Sequence, residues 1–478
     1  MRVCHGTVRL VALTGPLWSR LSWYYKIDLV GEATANLDLD HAGGDRHHDP
    51  AARRISTLRR TGRFAGARCD AHFGRRLMTS DPIVVGAGPV GLTAAWLLAS
   101  RGIAVTVLEA APEPQTDWRA STFHAATLEL LDQLGVVDDM HSEGLAVPRY
   151  QFRDRTEGVV AEFEFGVLAD VTRFPYRLQL NQQRLVAMLL ERLARSPQAD
   201  LRFGHEVTDV TNEGDGAVVQ VEVDGRTESI AGSFVLAADG ASSIVRRQLE
   251  IPFDGMTYPQ RFIIISMAED LRADCVPDLA DVSYISDPKE FLFALRTPDS
   301  WRTLFPVPMD EPVEVATSEK RMQERLAGFH PLGRPYQILD RQIYNVHQRV
   351  AGAFRAGRVL LLGDAAHINS PLGGMGLNSG IHDAMDAGLR LVRVLSGDTD
   401  RVDEELDTYA RARRTVAIDY VRADTHRNTT IMAESDPAVR AANHARLRAT
   451  AADPKAAREW MLRASMIAQV HDQRIGAA

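Results

Sequence analysis

Short apolar runs alternate with amphipathic stretches in the chain from about residue 80 onward. The segment "PIVVG" is short, apolar and rich in β-branched residues, which is typical of a buried strand. The next segment, "PVGLTAAWLLASRG", has the length and composition of a helix that ends at Gly102. "AVTVLE" then indicates a second strand, so the pattern predicts a β-α-β unit of an α/β fold.

The turn between the first strand and the helix has the spacing G-x-G-x-x-G. In such a unit Gly86 permits the tight turn, Gly88 lets a pyrophosphate approach the backbone, and Gly91 lets the helix pack on the strand. The helix N-terminus offers free N–H groups to phosphates, and an acid at the end of the second strand accepts hydrogen bonds from ribose. The motif predicts an ADP moiety of NAD or of FAD, with an ordinary glycine turn as the alternative. The residues expected to bind it are Gly86, Gly88, Pro89, Val90, Gly91 and Glu109.

Two later turns have a related pattern. In "SFVLAADGASSIVRRQLEI" a strand runs into Asp239 and Gly240, and a helix follows. In "GRVLLLGDAAHINSPLGGMGLNSGIHDA" a strand runs into Gly363 and Asp364, and a glycine-rich turn leads to a helix that begins near Gly376. Helix capping alone is the alternative role of the two aspartates.

The order of these three motifs resembles that of the group A FAD-dependent aromatic monooxygenases, which have the para-hydroxybenzoate hydroxylase-like fold. The resemblance extends from Met78 to about residue 420 and is strongest to the phenol and hydroxyphenylpropionate hydroxylase-like branch. It implies an α/β fold, in which a Rossmann-like FAD-binding domain is interrupted by a mostly antiparallel β-sheet substrate domain and followed by C-terminal helices. Alternating segments such as "RFIIISMAE" and "EFLFALRT" fit that sheet.

The resemblance also implies a cofactor site. Asp364 should bind ribityl or ribose hydroxyls of FAD, and Asp239 with Gly240 should lie near the pyrophosphate. Arg119 should contact FAD near its phosphates and Gln182 should lie beside the ribose, with a surface ion pair and a solvated helix start as the respective alternatives. A helix N-terminus at the flavin would stabilise the anionic reduced ring. Gly363, which precedes Asp364, is also expected to bind the cofactor. The turn expected to face the isoalloxazine ring comprises Pro371, Gly373, Gly374, Met375 and Gly376, and Leu377 and Asn378 should follow at the helix start.

The reaction implied by the resemblance is hydroxylation of a phenolic or related aromatic substrate through a flavin C4a-hydroperoxide, with NADH or NADPH and O2 as co-substrates. A phenol has a pKa of about 10, so a base or relay should assist its ionisation. Weak candidates are Tyr176, Tyr284, His124 and Arg296, whereas His367 is expected to pack or cap rather than to act in catalysis. The alternative is other flavin chemistry, by a halogenase, an epoxidase or a reductase, although the W-x-W-x-I-P segment of halogenases is absent.

The motifs predict how the chain is divided. The expected blocks are 78–150 (first FAD-binding part), 151–180 (substrate-domain insertion), 181–254 (second FAD-binding part), 255–350 (substrate-domain sheet), 351–402 (third FAD-binding part) and 403–478 (C-terminal helices).

Composition narrows the class of protein further. The 478 residues are 45% hydrophobic and carry a net charge of −8, which favours two or three packed domains and disfavours nucleic acid as a partner. The three cysteines lack metal-site spacing, so we expect no metal and a reduced, cytoplasmic protein. No apolar run approaches the roughly 18 residues of a membrane span. The expected partner is a small aromatic substrate, and a homodimer is left open.

Residues 1–77 differ in charge from the remainder. They contain 13 basic and 7 acidic residues, whereas the rest of the chain contains 42 and 56. A dinucleotide-binding domain usually begins close to its first strand, and that strand follows Met78 almost at once. We therefore expect residues 1–77 to be an N-terminal extension that is disordered or untranslated, from a start codon placed too early. A basic transit-like extension and a small N-terminal domain are the alternatives.

A chain that begins at Met78 is expected to bind FAD and to turn over as well as the full chain, because the first predicted strand needs nothing before it. Flavin content, read from the visible absorbance of purified protein, and the rate of NAD(P)H oxidation check this expectation. Loss of flavin or of solubility on truncation would contradict it.

Overall fold

The structure, a computed structural model, describes residues 81–115, 118–397 and 401–473. The expectation for residues 1–77 lies outside the described residues. The strands are, in chain order, β1 (Ile83–Val85), β2 (Val105–Glu109), β3 (Thr122–Phe123), β4 (Leu145–Val147), β5 (Arg149–Asp154), β6 (Gly158–Glu164), β7 (Arg177–Gln179), β8 (Ala199–Phe203), β9 (Glu206–Glu213), β10 (Gly216–Val223), β11 (Arg226–Gly232), β12 (Val235–Ala237), β13 (Phe253–Met267), β14 (Val282–Ser286), β15 (Leu292–Arg296), β16 (Trp301–Pro308), β17 (Ile338–Ala351), β18 (Arg355–Ala356), β19 (Val359–Leu361) and β20 (His367–Ile368).

The helices follow the same chain order. They are α1 (Pro89–Ser100), α2 (Ala125–Asp132), α3 (Val137–Glu143), α4 (Gln182–Ala194), α5 (Ile244–Gln248), α6 (Leu271–Asp274), α7 (Val313–Ala316), α8 (Glu319–Phe329), α9 (Gly376–Leu395), α10 (Val402–Val416), α11 (Ala423–Ala433), α12 (Pro437–Ala452), α13 (Pro454–Ala464) and α14 (Ile467–Gln473). A π-helical turn, Ala417–Arg422, joins α10 to α11.

The three predicted motifs meet on one sheet. Its six strands have the order β18-β19-β12-β1-β2-β8, and all neighbours are parallel except β18 and β19. Because β1, β12 and β19 are adjacent and parallel, the turns that follow them lie at the same edge of the sheet. The predicted α/β fold is confirmed, and so are the helix ending before Gly102 and the helix beginning at Gly376.

Two glycines of the first turn allow close packing. Gly86 has a φ of +100°, and a Cβ there would lie 2.5 Å from the Ala238 carbonyl oxygen. At Gly91 a Cβ would lie 2.0 Å from the Gly86 carbonyl oxygen, so α1 could not approach β1 this closely with any other residue. Pro89 occupies the first position of α1, where its missing N–H costs no hydrogen bond.

A second, eight-stranded sheet has the order β20-β17-β13-β16-β15-β14-β5-β6 and is antiparallel except between β14 and β5. Its strands alternate side chains between two faces, as half-buried strands do. Ile263 and Phe305 belong to a core shared with Leu326 of α8. Their neighbours Ile264 and Leu304 point to the opposite face, which lines a large cavity. The predicted, mostly antiparallel sheet is therefore present.

A small sheet, ordered β3-β7-β4, alters the expected division of the chain. Residues 151–180 were expected to form one insertion into the substrate domain. Most of β5 and all of β6 do join the eight-stranded sheet, but β7 pairs with β3 and β4 instead. Through β3, β7 therefore pairs with a segment of the first expected FAD-binding part. The expected domain boundaries otherwise stay a prediction.

Helices α10 to α14 occupy the C-terminal part, as predicted. Asp386 lies buried on α9, which is continuous over 20 residues. Its carboxylate accepts a hydrogen bond from Arg390 (2.9 Å), and Arg390 also pairs with Glu405 (2.8 Å). Among the described residues, no helix combines the length and apolarity that crossing a membrane requires.

Candidate active site

A cavity of about 1180 Å³ lies at the carboxyl ends of β1, β12 and β19. Gly86, Asp239 and Asp364, one from each predicted motif, line one side of it. The opposite side is the inner face of the eight-stranded sheet. Ligands of open α/β sheets bind at this edge, and the volume exceeds the usual range of small-molecule pockets, so a large dinucleotide and a further small ring fit.

The first motif forms an open cradle beside β1. A Cβ on Gly88 would meet no atom within 4 Å, so the space in front of its backbone is free for a phosphate. Glu109 lines the same end of the cavity, and its carboxylate accepts hydrogen bonds from the Ala87 amide (2.7 Å) and the Ala111 amide (2.9 Å). Glu109 thus shapes the turn while still facing the cavity, and the expected ribose contact stays a prediction.

Asp239 follows β12 and keeps one carboxylate oxygen available. Its Oδ2 accepts a hydrogen bond from the Val245 amide (3.2 Å), which caps the start of α5, whereas the buried Oδ1 has no partner among the described residues. Burial raises the pKa of Asp239 above its usual value, although the nearby Ser243 hydroxyl and backbone amides oppose the rise. Capping therefore involves only one oxygen of this carboxylate, and the other oxygen can accept a hydrogen bond from a ligand.

Asp364 follows β19, and its side chain is exposed to the cavity. Desolvation by the surrounding protein raises its pKa above the usual value, and the positive charges of His367 and Arg119 act in the opposite direction. Arg119 and Gln182 line the cavity as well. The backbone N–H of Gln182, at the start of α4, donates a hydrogen bond to the Ala120 carbonyl (2.9 Å). The structure thus brings these three expected cofactor residues to one cavity.

The glycine-rich turn before α9 is divided between two roles. The residues of the turn and helix start that line the cavity are Pro371, Gly374, Met375, Gly376 and Leu377. Asn378, expected to contact the cofactor, instead lies buried with its side chain directed into the protein. Its amide oxygen accepts from the His124 amide (2.9 Å), and its nitrogen donates to the Thr122 carbonyl (2.8 Å) and the Gly374 carbonyl (2.6 Å). Asn378 therefore holds the turn in place, and Gly363 and Gly373 likewise lie behind the cavity wall.

A buried carboxylate that the sequence analysis missed holds the turn after β19. Asp383 of α9 accepts hydrogen bonds from the Gly363 amide (3.0 Å), from His367 Nε2 (2.8 Å) and from Arg413 Nε of α10 (2.6 Å). Burial opposes ionisation of Asp383, but Arg413 and His367 hold its pKa below the usual value. The sequence feature that could have indicated this role is the acidic residue in the segment "IHDAMDAG" of α9. His367 packs against this carboxylate, which agrees with the structural role expected for it.

The inner face of the eight-stranded sheet gives the cavity an apolar wall. The apolar and aromatic side chains that line the cavity here include Ile264, Phe293, Leu295, Leu304 and Tyr344. At one end lies Arg302, whose guanidinium donates to the Arg119 carbonyl (3.0 Å) and to Asn181 Oδ1. Burial lowers the pKa of Arg302 to about 10, which leaves it charged at neutral pH. Arg302 therefore ties the substrate sheet to the loop that carries Arg119.

The four weak candidates for the substrate-activating base lie outside the cavity lining. The Tyr176 hydroxyl bonds to His141 (2.7 Å), and Tyr284 is buried against other aromatic rings. Arg296 pairs with Asp270 (3.2 Å). His124 bonds through Nε2 to the Gly373 carbonyl (2.9 Å). The sequence placed these candidates in the substrate region and at its edge, but it could not reveal which face of their strands Tyr284 and Arg296 occupy.

Comparisons with known proteins agree with this arrangement. The sequence profile of the FAD binding domain family matches residues 79–424. Para-nitrophenol 4-monooxygenase from Pseudomonas sp. (strain WBC-3) is 30% identical over 80% of this chain and 94% of its own length. 6-Hydroxy-3-succinoylpyridine 3-monooxygenase from Pseudomonas putida (strain DSM 28022 / S16) is 32% identical over 72% of this chain and 86% of its own.

A solved structure shows the same fold. The crystal structure of p-nitrophenol 4-monooxygenase from Pseudomonas putida DLL-E4 superposes with a TM-score of 0.76 at 30% identity, and the match covers 81% of this chain and 98% of that one. The chain therefore belongs to the FAD binding domain family, within the group A flavoprotein monooxygenases. It is an FAD-dependent aromatic hydroxylase, as the motifs predicted, and the halogenase, epoxidase and reductase alternatives are not favoured.

Replacing Gly88 by valine is expected to abolish flavin binding without unfolding the protein, because the new side chain would occupy only the open space in front of the turn. Gly91→Ala is the matched control: its methyl group would meet the Gly86 carbonyl and should lower stability by about 1–3 kcal/mol. Flavin absorbance and thermal unfolding followed by circular dichroism separate the two effects. A Gly88→Val protein that retains stoichiometric FAD would show that the phosphates lie elsewhere.

Asp364→Ala is expected to weaken FAD binding by about 1–3 kcal/mol, because hydroxyl groups of the cofactor would stay buried without their acceptor. Titration of the FAD-free protein, followed by quenching of flavin fluorescence, measures the affinity. Asp310→Ala, at an exposed position away from the cavity, serves as the control. Equal affinity for all three proteins would remove Asp364 from the site.

Proposed function

We propose that this enzyme hydroxylates a small aromatic substrate with a ring hydroxyl group, using NADH or NADPH and O2. The observation that carries the proposal is the single cavity in which a dinucleotide cradle faces an apolar wall. The names of its relatives support the substrate class, since they specify a nitrophenol, a hydroxylated pyridine and 3-(3-hydroxyphenyl)propionate. A cytoplasmic location and a homodimer stay expectations.

The residues present fit FAD. Gly88 leaves the space that a pyrophosphate needs, and Asp239 Oδ1 is a buried acceptor that lacks a partner among the described residues. Glu109, Asp364 and Gln182 would hold the hydroxyl groups of the cofactor, and Arg119 would lie near its phosphates. The N-terminus of α9, which begins at Gly376, would present its amides and positive dipole end to the flavin edge.

Bound FAD supplies the redox chemistry, because it accepts two electrons from the nicotinamide and uses them with O2. In each turnover NAD(P)H, a proton, O2 and the aromatic substrate give NAD(P)+, water and the hydroxylated product. The nicotinamide thus provides both electrons, and one oxygen atom enters the ring while the other leaves as water. The described residues contain no second dinucleotide turn of the first motif's type, so the nicotinamide would bind only transiently in the same cavity.

The protein would orient the substrate ring, exclude water from it and supply a positive charge beside it. Phe293, Leu295 and Leu304 would stack against the substrate ring and exclude water from it, and this favours oxygen transfer over release of peroxide. Arg302 keeps a positive charge at the edge of this wall, which favours the ionised form of a phenol there. The cavity wall thus orients the ring, while FAD would be held from the opposite side.

We expect NAD(P)H oxidation to be slow without an aromatic substrate and to rise many-fold with one, with product formed nearly one-for-one. If the nicotinamide binds only transiently, reduction of the flavin should be fast only when the aromatic substrate is also bound. Stopped-flow reduction of the flavin, with and without each phenol, measures the rate, and a peroxide assay measures the coupling. Equal reduction rates with all of the oxygen recovered as hydrogen peroxide would reject hydroxylation of the phenols tested.

A further inference from the structure

Two polar side chains of β17, Gln342 and Tyr344, project from the eight-stranded sheet toward the cavity, and both line it. Gln342 pairs across the sheet with Ile264. Tyr344 pairs with Phe262, two residues further along both strands. Directly paired residues of neighbouring strands project to the same face, so both side chains share the inner face with Ile264. Ile343, which lies between them in sequence, packs in the core on the opposite face, as strand alternation requires.

The Gln342 amide and the Tyr344 hydroxyl have no hydrogen-bond partner within the described part of the chain. Burial raises the pKa of Tyr344 above its usual value, so the hydroxyl stays protonated and can donate a hydrogen bond. A buried tyrosine hydroxyl usually has a partner, and a cavity-facing one without a partner is suited to a ligand. The tyrosines whose hydroxyls do have partners here are Tyr150, Tyr176, Tyr258, Tyr336 and Tyr409.

These two groups offer neutral hydrogen bonds to a planar ligand. The Gln342 amide carries two N–H donors and one carbonyl acceptor. A carboxamide on a ligand carries the same groups, so it can pair with Gln342 through two hydrogen bonds at once. The Tyr344 hydroxyl lies two residues further along the same face, about 7 Å along the strand, within reach of a ligand bound at Gln342.

The strand that carries both residues lies beside the glycine-rich turn. β17 is the neighbour of β20, in which Ile368 pairs with Arg349. Because the two strands are antiparallel, the chain leaves Ile368 in the direction of Tyr344, and Pro371 follows three residues later at the same cavity. This turn is the segment expected to face the isoalloxazine ring. A ring held by Gln342 and Tyr344 would therefore lie beside the flavin.

The apolar centre of the wall separates these two groups from the charge of Arg302. Arg302 pairs with Ser266, and Ser266 pairs with Asp340. Tyr344 is therefore four residues along the strands from the row of Arg302, about 13 Å, and two strands away. The wall thus has a charged corner and a neutral corner, so a phenol near Arg302 and a second, neutral ring would not compete for the same polar groups.

We propose that Gln342 and Tyr344 bind the carboxamide of the nicotinamide ring of NADH or NADPH while the flavin is reduced. The assignment rests on the proposed function and gives the co-substrate a contact that needs no dinucleotide turn of its own. The Gln342 amide would donate to the carboxamide oxygen and accept from the carboxamide nitrogen, and the Tyr344 hydroxyl would donate to the same oxygen. Neutral hydrogen bonds are individually weak, which agrees with a nicotinamide that binds only transiently.

The first test measures nicotinamide binding without turnover. The probe is the 1,4,5,6-tetrahydro form of NADH or of NADPH, whichever reduces the parent enzyme faster, since this form keeps the carboxamide but transfers no hydride. Its affinity for the FAD-loaded enzyme is read from the flavin difference spectrum. Gln342→Met keeps the size of the side chain and is expected to weaken binding about tenfold, because two hydrogen bonds are lost. Tyr344→Phe, which removes one, is expected to weaken it about threefold.

A ketone analogue isolates the contact with Gln342. The reduced 3-acetylpyridine dinucleotide has a methyl group in place of the carboxamide nitrogen, so it lacks the donor that Gln342 would accept. The concentration dependence of flavin reduction in stopped flow gives the apparent Kd of each dinucleotide. The parent should prefer the carboxamide by about threefold or more, and Gln342→Met should reduce this preference to nearly one. Tyr344→Phe should retain the preference.

Stability and a matched control exclude a merely structural role. The two variants remove groups that bond to no described residue, so both should melt at the temperature of the parent and retain FAD. Gln337→Met changes an exposed glutamine just before β17, outside the cavity lining, and should leave every nicotinamide affinity unchanged. Loss of FAD from Gln342→Met or Tyr344→Phe, or an unchanged affinity and carboxamide preference in both, would overturn the assignment.

The remaining outcomes separate this assignment from its alternatives. An amide substituent on the aromatic substrate has the same chemistry, so binding of 4-hydroxybenzamide and of phenol to each variant is measured in the same way. A loss confined to 4-hydroxybenzamide, with nicotinamide binding unchanged, would assign the two groups to the substrate and overturn the proposal. If dithionite reduces the flavin of the parent but neither NADH nor NADPH does, both proposals fail. If nicotinamide reduces the parent and both variants with equal apparent Kd, the function stands and this assignment alone is refuted.

Discussion

The carboxylate of Asp383 is the contact on which the geometry of the site most depends. It joins the turn after β19, through the Gly363 amide, to Arg413 of α10 and to His367. Both Asp383 and Arg413 are fully buried, and removing one partner of such a pair costs about 3–5 kcal/mol. Because Asp364 directly follows Gly363, the position of this cavity carboxylate is set by residues that never reach the cavity.

The contacts around Arg302 connect the two halves of the site in a comparable way. The eight-stranded sheet supplies the guanidinium, and the acceptors belong to the loop at Arg119 and to Asn181 at the start of α4. A charged side chain with neutral acceptors on both sides constrains the distance between the apolar wall and the cofactor cradle. These contacts therefore hold the two sides of the cavity at a fixed distance from each other, although the chain passes between them repeatedly.

The sequence predicted the turns that line one side of the cavity, because those turns depend on local backbone geometry. The glycines at 86, 88 and 91 act through the space they leave, and the strands beside them can be identified from short apolar runs. The roles of Asn378 and Asp383 could not be predicted, since they bond to partners up to 256 residues away or on other elements. The residues on the substrate side could not be identified for a related reason. A strand pattern shows that side chains alternate between two faces, but it does not show which face lines the cavity. Tyr284 and Arg296 do belong to the substrate sheet, but they do not line the cavity.

The hydrogen bonds from His124 and Asn378 to the glycine-rich turn fix the orientation of the peptide group between Gly374 and Met375. His124 Nε2 and Asn378 Nδ2 both bind the Gly374 carbonyl oxygen, and the described chain has no cis peptide bond. A trans peptide directs its N–H opposite to its C=O, so the amide of Met375 points away from the interior, on a residue that lines the cavity. Two side chains outside the cavity lining thereby direct a hydrogen-bond donor toward the cavity. A substitution at His124 or Asn378 would therefore change what the cavity presents to a bound ligand, although neither side chain lines it.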